Sequence, residues 1–327
     1  MRGIELTPEI PVDDLAALGA RAESEGFDAV FASSHYNNRD PILALSRVAA
    51  ATDAVRVGLG VANPYETHPV ALASRVATLD EVSDGRAVCG LGAGDRSTLR
   101  NLGVERDRPL RRVLETMKVG KRLWAGERVT HDGTFDANEA ALNYDVGEIP
   151  VYVGAQGPHM LRMSAKHADG VLVNAAHPRD FAWAGDRIEE GIAERPDERG
   201  AFDVAAFASV SVAEDGDAAR EAARPPVAFI AGGAPDPVLD RHDLDRERAA
   251  DIGEHIEAGE FSAAFEAVTP AMIEAFCVAG TPETVADRMA AVLEHVDSFV
   301  VGSPLGPDRE AAVSLAAEAL DRGYRER

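Results

Sequence analysis

Short apolar runs that end in glycine-rich polar loops recur along this chain, each followed by a stretch of helical spacing. That alternation constrains the fold more than any other feature. RGIELT (2–7), DAVFAS (28–33), VRVGLGVAN (55–63) and RAVCGLGAGD (86–95) read as strands. The stretch after the first carries Val12, Leu15, Leu18 and Ala22 at helical spacing, with Gly26 placed to end it. IPVYVGAQ (149–156), VLVNAAHP (171–178), DVAAFASVSV (203–212) and SFVVGSPLG (298–306) continue the series. Eight strands separated by helices predict an α/β protein, a closed (β/α)8 TIM barrel rather than a doubly wound sheet. ERVTHDGTF (127–135) has a DG turn between β-type residues and predicts a hairpin inserted after the fourth strand. Residues 214–280 predict a mainly helical excursion after the seventh. With no linker and no repeat, a single domain over 1–327 is expected.

Barrels bind ligands at the carboxyl ends of their strands, so the chemistry is expected in SSHYNNRD (33–40), GVANPYETHP (60–69), GAGD (92–95), GAQGP (154–158), NAAHP (174–178) and GSPLG (302–306). Glu5 lies inside an otherwise apolar strand. With Ile4 and Leu6 toward the helices it points into the barrel, as a candidate acid or as half of an ion pair. Asp95 has the same two readings, and a third as a helix N-cap. Gly154 and Gly157 leave backbone amides unobstructed and Pro158 suits a first helical turn. This is either an anion site at a helix N-terminus or an ordinary turn. His35, His68 and His177 fall in loops and are candidate ligand contacts. His131, His242, His255 and His295 are expected at the surface. No HExxH or Cys/His cluster suggests a catalytic metal, and no GxSxG elbow suggests a hydrolase.

The 33 basic residues against 56 acidic ones leave a net charge of −23, which argues against nucleic acid and anionic membranes as partners. With 30 Arg and three Lys (Lys118, Lys121, Lys166), the acidic excess suggests a salt-adapted, halophilic protein. Two cysteines, no signal-like start and no apolar run of membrane length suggest a reduced, cytoplasmic location.

HYNNRD (35–40), GVANPY (60–65), RVATLDEVSDGRAV (75–88), GLGAGD (90–95), GAQGP (154–158), ADGVLVNAAHPRDF (168–181), VTPAMIEAFCVAGTPE (268–283) and VVGSPLGP (300–307) occur in this order. As a set they resemble the coenzyme F420-dependent methylenetetrahydromethanopterin reductases of the bacterial luciferase-like superfamily. The resemblance implies a luciferase-like barrel with a deazaflavin at the strand ends. It also implies a bulge at the third strand with a non-prolyl cis peptide at Gly60–Val61. Cofactor contacts are implied at His35, Gly60, Val61, Asn63, Gly94, Gly154, Ala155, Gln156, Gly157 and Asn174, the phosphate-bearing tail lying on GAQGP. The implied reaction passes a hydride from reduced F420 to the methylene carbon of a tetrahydropterin, with Glu5 first and Asp95 second as the catalytic carboxyl. The residue before the histidine is typically acidic in that family and is Ser34 here, a departure that bears on the substrate more than on the coenzyme; the one-carbon carrier is tetrahydromethanopterin or, with salt adaptation, tetrahydrofolate. A homodimer or homotetramer is implied. The alternatives are another luciferase-like oxidoreductase, either an F420-dependent dehydrogenase or an FMN-dependent monooxygenase, and a deazaflavin-binding protein without turnover.

Overall fold

The computed structural model describes residues 1–326. In chain order the first elements are β1 (Arg2–Glu5), α1 (Val12–Ser24), β2 (Ala29–Ala32), α2 (Pro41–Ala51), β3 (Arg56–Leu59), α3 (Pro69–Val82), β4 (Ala87–Leu91), α4 (Arg96–Asn101) and α5 (Pro109–Trp124). A two-stranded insertion follows, β5 (Val129–Asp132) and β6 (Asp136–Ala140), then β7 (Val151–Gly154), α6 (Pro158–His167), β8 (Gly170–Val173) and α7 (Pro178–Ile192). After β9 (Asp203–Val212) come α8 (Gly216–Gly233), α9 (Asp236–Arg241), α10 (Arg246–Glu257), α11 (Phe261–Ala267) and α12 (Pro270–Phe276). The chain continues with β10 (Val278–Gly280), α13 (Pro282–Leu293), β11 (Ser298–Leu305) and α14 (Arg309–Glu326). This is a (β/α)8 barrel whose eight strands are β1–β4, β7–β9 and β11. The insertions follow the fourth and seventh of these, where the sequence places them.

The chain divides into two compact units. The first spans Gly3–Leu172 with Asp186–Val204. Its barrel strands pair in parallel in sequential order, in a register that aligns Glu5 with Phe31 and Phe31 with Gly58. A Cβ at Gly58 would lie 2.6 Å from the Phe31 ring, so the glycine makes room for the aromatic core residue beside it. Helix starts are set by paired signals. Asp40, His68 and Asp95 each accept backbone N–H groups at the start of α2, α3 and α4, and proline opens α2 and α3. The second unit holds Val173–Gly185 and the chain from Ala205 onward. Its strands β10, β9 and β11 are parallel neighbours. The helices of the excursion bury their own apolar cluster, which includes Val227, Ile252, Met272 and Phe276. β10 is absent from the sequence reading, as is α4.

The DG hairpin forms as expected, with Asp132 opposite Asp136. Glu115 of α5 holds it, accepting the Thr134 amide and hydroxyl at 2.7 Å each and His131 at 3.2 Å, besides Arg111 at 2.6 Å. Burial pushes the Glu115 carboxyl up, but these donors outweigh it and hold the pKa at about 2. Arg112 donates to Thr134 O on the hairpin and to Pro64 O at 2.9 Å, tying the insertion to the loop after β3. Both cysteines are buried and unpaired by any disulfide, and burial drives the Cys89 thiol to about 12. Among the described residues no helix is long and apolar enough to cross a membrane.

Candidate active site

β1 ends in Glu5, 3 % exposed, whose Oε1 accepts a hydrogen bond from Thr7 Oγ1 at 2.8 Å. Ile4 and Leu6 on either side are also buried. After β2 the chain turns through Ser34 and His35. Together with the segment after β3 these line a cleft of about 340 Å³ that also takes in Leu59, Asn63, Glu66 and Arg75. That volume falls in the range of small-molecule sites. A more open groove of about 490 Å³ beside α3 and the hairpin contains, of the residues expected to bind or react, His68.

The third strand stops at Leu59, short of the expected 55–63, and a cis Gly60–Val61 peptide follows it. Pairing to β4 resumes beyond it: Ala62 N donates to Gly90 O and Gly92 N to Ala62 O, both at 2.9 Å. The bulge explains the glycines of GLGAGD. A Cβ at Gly90 would lie 1.7 Å from Leu59 O. One at Gly92 would lie 2.4 Å from Val61 Cγ2, and one at Gly154, at the end of β7, 3.3 Å from Val61. The glycines thus accommodate the displaced backbone and side chain of the third strand. Gly94 has φ +75°, and a Cβ there would lie 2.9 Å from Leu99 Cδ1 and 3.3 Å from the Asn63 side chain, so glycine fits both the turn and the space.

Asn63 is buried and organises its own turn. Its Oδ1 accepts from the Tyr65 and Glu66 amides at 3.1 Å and its Nδ2 donates to Glu66 Oε1 at 2.7 Å. Asp95 caps α4 through the Thr98 amide at 2.8 Å and accepts the Ser97 hydroxyl. Burial raises its carboxyl, but those hydrogen bonds outweigh it and its pKa lies below the usual carboxylate value. Asp95 is therefore an anion at neutral pH, not a proton donor.

GAQGP runs from the end of β7 into α6. Ala155 is buried and its amide donates to Leu172 O at 3.1 Å, while Gln156 and Gly157 are exposed. Gly157 is the N-cap of α6 and supplies no side-chain cap, and a Cβ there would meet nothing within 4 Å. No side chain caps the first turn of that helix, and the space beside Gly157 is open. Asn174 and His177 belong to the second unit, in the loop between β8 and α7. Asn174 is exposed there.

Two histidine expectations need correction. His68 is not a ligand contact: its Nδ1 accepts the Val70 amide as a helix cap and its Nε2 lies 3.0 Å from Asp136 O of the hairpin, so both nitrogens serve structure. His242 is not at the surface; its side chain is 3 % exposed and bonded to Asp180 at 2.9 Å. Glu66 and Arg75 of the cleft escaped the sequence reading. The signal for Glu66 was present, since an Asn three residues before a Glu, with Pro64 between, is an Asx-turn pattern. Among the described residues no group of three or more His, Cys, Asp or Glu is placed to hold a metal ion.

The profile of the family described as luciferase-like monooxygenase matches residues 2–297. The 5,10-methylenetetrahydromethanopterin reductase of Archaeoglobus fulgidus is 40 % identical over 97 % of this chain and 98 % of its own length. That of Methanolobus tindarius is 39 % identical over 97 % and 98 %. The structure of the coenzyme F420-dependent tetrahydromethanopterin reductase from Methanopyrus kandleri superposes with a TM-score of 0.91 at 38 % identity, covering 98 % of each chain. The chain belongs to the luciferase-like family and, within it, to the 5,10-methylenetetrahydromethanopterin reductases.

Proposed function

We propose that this protein is an F420-dependent 5,10-methylenetetrahydromethanopterin reductase, forming the N5-methyl carrier in one-carbon metabolism. The observation that carries the reading is the buried Glu5 carboxyl in a chain that resembles these reductases along nearly its whole length. Bound reduced F420 supplies the hydride. Gly60, Val61, Gly94 and Gly154 would back its ring, with His35 and Asn63 alongside. The Gln156–Gly157 turn at the start of α6 would hold its anionic tail, with Ala155 anchored behind it by its amide bond to Leu172 O.

The chain's own residues handle the protons and the charge. The methylene bridge spans two nitrogens and is a poor electrophile. Glu5 donates a proton to the arylamine nitrogen of the bridge, which opens the ring to an N5-iminium cation. Asp95, kept ionised by its cap hydrogen bonds, stabilises that cation until hydride addition neutralises it. Glu5 then regains its proton from solvent. The protein acts in the cytoplasm as a homo-oligomer.

The test is turnover of purified protein with reduced F420 and either methylene-tetrahydromethanopterin or methylene-tetrahydrofolate, followed by reoxidation of the deazaflavin. The expected result is turnover with the methanopterin carrier, and Glu5→Gln slowed by about 10²–10⁴-fold, the usual contribution of a general acid. Absence of turnover with both carriers overturns the function, and full turnover of Glu5→Gln overturns the acid.

A further inference from the structure

The cleft of about 340 Å³ at the ends of β2 and β3 contains two opposite charges that no step above uses. All of its lining belongs to the first unit. His35 and Asn63, set alongside the coenzyme ring in the proposed function, line it, whereas Gly60, Val61, Gly94 and Gly154, set behind the ring, do not. On that reading the space lies beside the ring, and its volume suits a second small ring system. Ile42, Leu59, Ala62 and Leu72 give it apolar surface, and Glu66 and Arg75 give it charge.

The two charges are held apart. Glu66 is fixed by the Asx turn of Asn63, which donates Nδ2 to Glu66 Oε1 at 2.7 Å and accepts the Glu66 amide at 3.1 Å. Arg75 belongs to α3 and donates Nη1 to Thr67 Oγ1 at 3.1 Å, one residue beyond Glu66 in the chain. Among the described residues Glu66 and Arg75 form no ion pair with each other or with a third charge. A carboxylate and a guanidinium that share a cleft without neutralising each other offer a ligand a charged acceptor and a charged donor, the stronger class of hydrogen bond.

Two ring systems can present groups to that pair. The dione edge of a deazaflavin offers a carbonyl, an N–H and a second carbonyl, so a carboxylate facing it meets oxygen lone pairs. The aminopyrimidinone edge of a pterin offers an amine, a ring N–H and then a carbonyl. Its two donors match the two oxygens of one carboxylate, and its carbonyl matches a guanidinium. We propose that Glu66 and Arg75 recognise the pterin head of the one-carbon carrier, Glu66 accepting the amine and the ring N–H while Arg75 donates to the neighbouring carbonyl. This rests on the function proposed above and names the residues that seat its substrate. Both carriers share this edge, so the pair fixes where the head sits and not which carrier is taken.

The experiment uses the full chain and combines steady-state kinetics and F420 binding with calorimetry on 6-methyltetrahydropterin and its 2-deamino analogue, in which hydrogen replaces the amine. KM for the accepted carrier should rise about tenfold or more in Glu66→Gln and in Arg75→Gln, the value of one charge-assisted hydrogen bond. kcat should stay within about twofold and Kd for F420 should not move. Arg75→Lys, which keeps a charged donor, should recover part of the loss. The wild type should bind the 2-deamino head about tenfold more weakly than 6-methyltetrahydropterin, and Glu66→Gln should bind the two equally. A Glu66→Gln protein that still prefers the amine-bearing head overturns the proposal. So does an unaltered KM in both variants, whether or not Kd for F420 moves. Should Glu66→Gln fail to fold, Arg75→Gln, at an exposed position, decides on the same constants. Failure of the wild type to turn over either carrier would sink the proposed function instead, and the calorimetry, which needs no hydride transfer, would still decide the role of Glu66.

Discussion

Gly92 lacks the side chain that Val61 would collide with: a Cβ there would fall 2.4 Å from Val61 Cγ2. The two residues sit on the fourth strand's exit loop and at the cis peptide of the third. Gly92→Ala is expected to displace Val61 at a stability cost of about 1–3 kcal/mol, typical of overpacking. F420 affinity should fall more than the melting temperature would suggest. Binding titration beside thermal unfolding checks this, and an unaltered affinity would remove Val61 from the ring's support.

Gly157 separates helix stability from ligand affinity. Gly157→Asp supplies α6 with the cap it lacks, in a position open to a side chain. The melting temperature should hold or rise slightly, since Asp is as good a cap as glycine or better. The added carboxylate should weaken F420 binding by about tenfold or more through repulsion of the anionic tail at the same amides. Equal affinity in the variant would place the tail elsewhere.

The hairpin's attachment titrates. Glu115 has its pKa lowered from 4.5 to about 2, so its contribution is fully present above pH 4.5 and disappears as pH falls toward 2. The shift corresponds to roughly 3 kcal/mol. Glu115→Gln should therefore lower the melting temperature at pH 7 and converge on the wild type near pH 2. A constant difference across that range would show that charge plays no part in holding Thr134 and His131.

With a net charge of −23, mutual repulsion of carboxylates should dominate the salt response. Raising KCl from about 0.1 M to about 1 M shortens the screening length from ~10 Å to ~3 Å. The melting temperature should rise by about 2 °C or more, equivalent to one or two kcal/mol for a chain of this length. A melting temperature that falls with salt would show that the surface ion pairs, such as Arg246 with Asp236 and Asp240, outweigh the repulsion.

Much of the architecture was legible because parallel barrel strands are buried on both faces and read as apolar runs closed by glycine. Val278–Gly280 was not, because three residues beside an apolar helix end carry no period of their own. The buried state of His242 was not legible either, since its partner Asp180 lies 62 positions away in the chain and neither residue has a local signature. His68 misled through its neighbour: His-Pro is equally a helix cap, and that is the role the fold gives it. The site's backbone was readable by resemblance, whereas the cleft's Glu66 was set by an Asx turn that the sequence displays but does not advertise.

The two sulfhydryls, at Cys89 and Cys277, are shielded from water and protonated far beyond neutral pH. Nucleophilic attack on peroxide or an alkylating reagent requires the ionised sulfur, so neither residue offers a quick target. Inactivation of this protein in air should therefore track damage to methionine or to the reduced coenzyme, and dithiothreitol should do little to restore what is lost.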